Sequence, residues 1–370
     1  MTYNILFSIC SLGLGHATRS LPLIKYYLGK GNKIYISSEQ HVLNFLKNEF
    51  PKEKNVVLIE KVQKYPPLER GSSIIGYGCH IVFDGLRMPH IIKLEHNFVE
   101  KLVKKHKIDF VISDGTYGGY SYKVPCFLIT HQLEFQFIFP YALFGKCGSR
   151  YNLSIFKRFT KVLVPDYIKK MSLSGDLAYN PRFKNINTEY IGILSQYTKK
   201  KIKEDIDYLV IISGYLHEHK KEFYDNLITV LEKRKGKKIF IMGDHLEDYH
   251  KKLPGNIEVY SSFKGLDKNE LFNRAKVIIS RTGYTTLMDL LELNKKAILI
   301  PTPKQSEQVY LAKYHQNKGY FNIVMSQKDI TDKNLINDPK NTILIENKNL
   351  PKTKETVKKV AQIIDKCIKK

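Results

Sequence analysis

The segment Val277–Tyr320, VIISRTGYTTLMDLLELNKKAILIPTPKQSEQVYLAKYHQNKGY, constrains this chain most. Val277, Ile278 and Ile279 form an apolar run short enough for a strand buried on both faces of a parallel sheet. Thr282 and Gly283 supply a turn, and Gly283 can adopt dihedrals that other residues resist. Thr285 and Thr286 are candidate caps for a following helix with apolar positions at Leu287, Met288, Leu290, Leu291 and Leu293. Asn294 can end that helix. Ala297 to Ile300 reads as a second buried strand, stopped by Pro301. A strand, helix and strand in this order is a βαβ unit, which dictates a parallel sheet with helices covering its faces.

The polar residues of its loops suit one kind of ligand. A helix that begins just after Gly283 offers unpaired N–H groups and the positive end of its dipole to a phosphate or diphosphate. Asp289 lies one helical turn beyond Thr285, so the two can share a face. A carboxylate there can accept hydrogen bonds from two vicinal hydroxyls, as on a ribose. Gln305, Glu307 and Gln308 follow the second strand and combine donors and acceptors of the kind that read sugar hydroxyls.

Near the other end of the chain, Tyr3 to Ile9 reads as a strand. It runs into Ser11-Leu12-Gly13-Leu14-Gly15-His16-Ala17-Thr18-Arg19-Ser20. A strand, a glycine-rich turn and a helix is a phosphate-loop layout. The third glycine of a dinucleotide fingerprint is missing, because Ala17 and Thr18 stand where it would fall.

The Ser280-Arg281-Thr282-Gly283 turn, Asp289, Pro301 and Glu307-Gln308 resemble the nucleotide-sugar half of MurG-like glycosyltransferases. Gly13-Leu14-Gly15-His16-Ala17-Thr18-Arg19-Ser20 is similar to the N-terminal motif of the same enzymes. The resemblance implies a GT-B-like α/β fold, with two Rossmann-like doubly wound domains facing across a cleft. It also implies a UDP-sugar donor. Arg281, Thr282, Gly283, Tyr284 and Thr285 would surround the diphosphate, Asp289 the ribose, and Gln305, Glu307 and Gln308 the sugar. Phe263 and Lys264 would approach the base, and Gly13, Gly15, Ser213 and Gly214 would line the donor from two further loops. The family's longer glycine-rich loop is reduced here to Ser213-Gly214-Tyr215-Leu216-His217-Glu218, which alters the contacts expected of it. His16 falls where relatives place a catalytic or donor-contacting histidine.

Between these motifs, Lys33–Ser38, Val56–Glu60, Phe110–Asp114, Cys126–Thr130, residues 162–164 and Tyr190–Ile193 read as strands. Helical patterns cover Glu39–Asn48 and Leu86–His106. Further strands are expected at Tyr208–Ile212, Ile239–Met242 and Val259–Ser262. Ligands of open α/β sheets bind beyond the carboxyl ends of the strands. Asp114 and His131 fall there and join His16 as catalytic candidates, while helix capping by Asp114 and a structurally satisfied His131 stay open. The expected division is an acceptor-side domain over 1–196, a charged linker over 197–206 and a donor domain over 207–350. The amphipathic helix over 351–370 is expected to return to the first domain.

The chain has 370 residues and a formal charge of +24, from 60 Lys and Arg against 36 Asp and Glu. Such an excess attracts anions, whether nucleic acid, acidic lipid or phosphorylated small molecules. A lysine-biased composition with no functional meaning explains it equally. Phe135–Lys161 mixes aromatics with Lys146, Arg150, Lys157, Arg158 and Lys161, which suits a membrane interface. The helix ending Lys104-Lys105-His106-Lys107 could share that surface. The alternative for the aromatics is a core segment with basic flanks. No apolar run approaches the roughly twenty residues that span a bilayer, and the opening residues do not form a signal peptide. The five cysteines, Cys10, Cys79, Cys126, Cys147 and Cys367, form no C-x-x-C pair and read as reduced thiols. A cytoplasmic enzyme, peripheral at the inner face of the cell membrane, fits these features.

The activity expected is transfer of a sugar from a UDP-sugar to an acceptor hydroxyl of a glycan or lipid-linked molecule. The resemblance implies inversion, no metal and no cofactor beyond the donor. Asp205-Ile206-Asp207 has the spacing of a metal motif but lies in the charged stretch. Two rivals predict otherwise. A UDP-sugar epimerase of the same fold carries paired glycines and glutamates after the turn, where this chain reads Arg-Thr-Gly-Tyr-Thr-Thr. A basic nucleic-acid or anion binder would show steep salt dependence and have no use for Asp289 or Glu307-Gln308.

Overall fold

A computed structural model describes residues 2–61, 74–134, 150–168, 171–179, 184–212, 219–244, 248–316, 318–336 and 350–369. The chain divides into two compact units, Met1–Gln196 with Pro351–Lys370, and Tyr197–Leu350.

The first unit is built on a parallel sheet ordered β3-β2-β1-β4-β5-β6-β7. Its strands are β1 (Asn4–Ile9), β2 (Lys33–Ser38), β3 (Val56–Glu60), β4 (Phe110–Asp114), β5 (Cys126–Ile129), β6 (Lys161–Val164) and β7 (Thr188–Tyr190). Ile5, Leu6, Phe7 and Ile9 of β1 are wholly buried, as are Phe110, Val111 and Ile112 of β4. Consecutive apolar residues therefore face both sides, and both faces need helices. Helices α1 (Gly15–Leu28) and α2 (Gln40–Glu49) cover one side, and the long α3 (Ile74–His106) covers the other.

The second unit has a sheet ordered β10-β11-β9-β8-β12-β13-β14. The strands are β8 (Ile206–Ile211), β9 (Lys238–Ile241), β10 (His250–Leu253), β11 (Ile257–Tyr260), β12 (Ala275–Arg281), β13 (Lys296–Ile300) and β14 (Asn322–Ile323). All pairs are parallel except β10 with β11. Its helices are α4 (Lys220–Leu231), α5 (Lys268–Arg274), α6 (Tyr284–Leu293), α7 (Ser306–Gln316) and α8 (Asp332–Ile336). The doubly wound architecture expected from the sequence is present in both units.

Residues 197–205 pack within the second unit. The Tyr197 ring stacks on Phe272 at 4.4 Å, and the backbone N–H groups of Thr198 and Lys200 donate to Asn269 and Asn273. The last helix, α9 (Thr353–Ile368), lies on the first unit. Val357, Val360 and Ile364 enter the core beside Leu21, Ile24 and Tyr27. Each fully buried side chain of this size contributes roughly 1.5–3 kcal/mol. Tyr167 donates to the Pro351 carbonyl at 2.7 Å, and the Ser195 N–H donates to Thr353 Oγ1 at 2.9 Å.

Candidate functional site

Three neighbouring strands of the first unit, β1, β4 and β5, deliver polar groups to their carboxyl ends. The turn after β1 leads into α1, which carries His16 and Arg19 on its first turn. Asp114 closes β4, and His131 follows β5. His16 Nδ1 lies 2.8 Å from Asp114 Oδ1. Arg19 Nε reaches both Asp114 oxygens at 2.9 Å, its Nη2 also contacts Oδ1, and Ser20 Oγ donates to Oδ2 at 2.9 Å. The other guanidinium nitrogen lies 3.2 Å from His131 Nδ1. Arginine only donates, so His131 Nδ1 is the acceptor in this contact. The three catalytic candidates thus meet around Arg19, which the sequence reading quoted in a motif but gave no role.

Charges in this cluster fix its protonation. Burial opposes ionisation of Asp114, but the Arg19 guanidinium and the His16 hydrogen bond outweigh it and hold the carboxyl at about 2. Two groups meet His16 Nδ1: the Asp114 carboxylate, which can only accept, and Arg19 Nη2 at 3.0 Å, which can only donate. Arg19 Nη2 is directed at Asp114 Oδ1, so the shorter Asp114 contact takes the hydrogen of Nδ1 and Nε2 keeps its lone pair. Burial and the Arg19 charge push the His16 pKa below its ordinary value, against the pull of Asp114. His16 is therefore neutral at pH 7, with a basic nitrogen fixed in direction. Its side chain retains 22% exposure, whereas Asp114 and Arg19 have 0% and 1%. Gly115 is left-handed at φ +68°, and a Cβ there would lie 2.5 Å from His16 Cε1. Only glycine lets the chain pass beneath the ring.

In the second unit, β12 and β13 end side by side. α6 begins at Tyr284 with Gly283 as its N-cap. Gly283 is extended (φ −85°), so the turn does not exploit a glycine-only conformation, and no side chain caps the helix. This corrects the expected capping by Thr285 and Thr286, which sit half-buried inside the first turn. The Thr282 hydroxyl is buried without a hydrogen-bond partner among the described residues. Asp289 is 7% exposed and Tyr284 3%.

Arg281 does not present its charge at this turn. It stacks on Phe223 at 3.7 Å and donates to Gln327 Oε1 at 2.9 Å, to the Pro301 carbonyl and to the His219 carbonyl. Burial lowers its pKa to about 10. Its reach across β12, β13 and the start of α4 makes it a brace for the loops that carry the other candidates. Gln305 and Gln308 also have local duties. Gln305 Oε1 accepts from the Gln308 N–H at the start of α7, and Gln308 Oε1 accepts from the Thr302 N–H at 2.9 Å. Each keeps an amide NH2 group as a donor. Glu307 stands half-buried on the first turn of α7. Beyond β11, Phe263 packs on Phe272, and the exposed Lys264 pairs with Asp248 at 2.5 Å. Gly13, at φ +79°, and Gly15 flank the turn into α1. Ser213 and Gly214 lie outside the described residues. Among the described residues no group of three His, Cys, Asp or Glu could hold a metal ion. Among them, too, no helix is long and apolar enough to cross a membrane.

The glycosyltransferase family 28 C-terminal domain model matches residues 199–367. An uncharacterized glycosyltransferase of Methanosarcina acetivorans is 26% identical over 332 residues, covering 86% of this chain and 82% of the relative. A Clostridium botulinum UDP-N-acetylglucosamine–N-acetylmuramyl-(pentapeptide) pyrophosphoryl-undecaprenol N-acetylglucosamine transferase is 25% identical, covering 73% of this chain and 77% of the relative. The crystal structure of Acinetobacter baumannii MurG superposes with a TM-score of 0.58 at 13% identity, over 98% of this chain and 99% of that one. The chain is a GT-B-fold glycosyltransferase related to the MurG-like enzymes of family 28.

Proposed function

We propose that this enzyme moves a sugar from a UDP-sugar, such as UDP-N-acetylglucosamine, to an acceptor hydroxyl with inversion at the anomeric carbon. The observation that carries this reading is His16, held neutral with Nδ1–H on an ionised Asp114 and Nε2 ready to accept a proton. His16 Nε2 takes the proton of the acceptor hydroxyl as its oxygen attacks the anomeric carbon. The bond from that carbon to the diphosphate oxygen breaks, and its electron pair leaves on the diphosphate. Asp114 holds the imidazole in the productive tautomer and stabilises the imidazolium that forms. Within the second unit, the N-terminus of α6, which follows the buried Thr282 hydroxyl, unpartnered among the described residues, holds the donor's diphosphate. Asp289 accepts from the ribose hydroxyls, and Glu307 with the Gln305 and Gln308 amides reads the sugar.

The acceptor we assign is lipid-linked, presented at an anionic membrane surface that the basic end of α3 and residues 150–161 approach. The named substrate of the Clostridium relative supports this assignment, as does the exposure of Arg150, Tyr151, Lys157 and Arg158. Phe156 and Phe159 are core residues, so the described aromatics of this stretch contribute little to such a surface. Residues 135–149, with Lys146, lie outside the described residues. The test is a screen of nucleotide-sugars with a membrane extract as acceptor source, following released nucleotide by mass. UDP release that depends on the extract and disappears in His16→Ala is the expected result. Release by no donor, or equal release by His16→Ala, refutes the reading.

A further inference from the structure

On the face of the first sheet opposite α1, a buried ion pair has no part in the chemistry above. Lys61 follows β3 and Glu95 lies within α3. Their side chains are 2% and 3% exposed and meet at 2.9 Å. Burial opposes the charge on Lys61, but Glu95 overcomes it and raises the ammonium above its ordinary value. A buried pair of this kind adds little net stability compared with apolar residues of equal volume. What it touches is more telling.

The second Glu95 oxygen accepts the N–H of Gly118 at 3.1 Å. Gly118 belongs to the loop Gly115–Gly119 that leaves β4 directly after Asp114. This loop has no slack. A Cβ at Gly118 would lie 2.4 Å from Glu95 Cβ and from the Ile92 carbonyl, and one at Gly119 would lie 2.4 Å from Ser113 Oγ. At its other end Gly115 passes beneath the His16 ring. Ser113 Oγ and Thr116 Oγ1 are hydrogen-bonded to each other, and Thr116 Oγ1 continues to Ser8 Oγ at 2.9 Å. The loop is thus clamped to α3 at one end and forms the floor of the imidazole at the other.

We propose that Glu95 and Lys61 are positioning residues for His16, acting through the Gly118 N–H and the glycine loop. Lys61 aims the Glu95 carboxylate, Glu95 pins Gly118, and the pinned loop holds Gly115 against the ring. The inference rests on the role of His16 given above for its catalytic meaning, but its geometric content can be measured without any substrate. The groups that face His16 are Asp114 from β4, Arg19 from α1 and His131 after β5, and none of them is altered in the test.

The comparison uses two double variants of the full chain, Lys61→Met with Glu95→Leu and Lys61→Met with Glu95→Gln. Neither leaves an unpaired buried charge; the glutamine keeps an acceptor for the Gly118 N–H, together with an amide NH2 donor, and the leucine keeps neither. The readout is the titration of the His16 ring followed by NMR of histidine-labelled protein, assigned by the signal missing from His16→Gln. In the leucine variant the His16 pKa should rise toward the ordinary histidine value as the floor loosens and water reaches the ring. The glutamine variant should titrate like the wild type. Identical titrations in wild type and leucine variant overturn the proposal. Equal shifts in both variants overturn it too, because the Gly118 bond would not be the link. In transfer assays the leucine variant should lose kcat on the order of 10- to 100-fold with little change in the donor KM. A shifted His16 titration supports the positioning role even where no transfer is detected, so failure of the functional reading is distinguishable.

Discussion

Replacing Asp114 by Asn tests the centre of the first unit most directly. The carboxylate is wholly buried and takes hydrogen bonds from Arg19, Ser20 and His16. Asparagine would leave the Arg19 guanidinium, itself 1% exposed, without a counter-charge. Stranding one member of a buried pair costs about 3–5 kcal/mol. Part of this cost depends on pH with a definite sign. The folded-state pKa is depressed, from the ordinary 3.8 to about 2. The stabilisation is therefore fully present above about pH 4 and is lost as pH falls through about 2. At roughly 1.4 kcal/mol per pH decade, the depression corresponds to about 2 kcal/mol. Calorimetric unfolding of wild type and Asp114→Asn from pH 5 to pH 2 measures the gap between them, in which other carboxylates cancel. That gap should narrow by about 2 kcal/mol as the wild-type carboxyl takes up its proton. A gap that stays constant over this range would refute the pairing with Arg19.

Gly115→Ala forces a Cβ into the His16 ring in a left-handed conformation. It should lower kcat on the order of 10- to 100-fold while UDP affinity by calorimetry stays as in the wild type. Asp289→Ala should weaken UDP binding by about 1.5–3 kcal/mol, as expected for hydrogen bonds to a charged group; unchanged UDP affinity would remove Asp289 from the ribose. Glu307→Ala and Gln308→Ala should keep UDP affinity and lose turnover or sugar preference, with Gln308→Ala also losing its bond to the Thr302 N–H. Equal loss of UDP and UDP-sugar binding in both would make the pair structural. Reversal of Lys104, Arg150 and Lys157 to Glu should abolish co-sedimentation with anionic vesicles at low salt, each cation near the surface being worth about 1 kcal/mol. Arg158 is left intact because it donates to the Tyr120 hydroxyl at 2.8 Å.

The parallel strands were readable from their apolar runs, and β2, β3 and β4 have the bounds the sequence leads one to expect, although β3 at the sheet edge is only half-buried and polar residues extend β2 and β4 beyond the runs. β10 was not, since His250, Lys251 and Lys252 are exposed on an edge strand, where nothing but the pairing with β11 favours extension. α4 carried a signal that went unread: Phe223, Leu227 and Leu231 recur at helical spacing and are all wholly buried. The site was legible as residue types but not as partners. Asp114 ends a strand and His16 and His131 follow one, which flags them singly. Their convergence depends on Arg19, whose Asp114 partner lies 95 residues away in sequence. Arg281 shows the converse. Its position in the turn suggests an anion contact, but Phe223 and Gln327, both remote in sequence, draw it into the interior.

The surplus of positive charge and the chemistry of the site also separate in space. Arg19, Lys61, Arg281 and Lys238 are all buried, and each is tied to a carboxylate or to polar groups of its own unit. Lys295, also buried, is bound to two carbonyls and Glu204. The three paired with carboxylates, Arg19, Lys61 and Lys295, add little to the field in solvent, and salt screens such buried pairs poorly. The charges that remain outside lie on surfaces such as the end of α3, where Lys101, Lys104 and Lys105 are exposed. Their field is screened within about 8–10 Å at ordinary ionic strength. Added salt therefore acts on the two selectively: it weakens whatever the outer lysines hold and leaves the Arg19–Asp114–His16 geometry in place. If the proposed acceptor is membrane-borne, transfer to it should fall with added salt while UDP binding stays intact, and the His16 titration should stay unchanged.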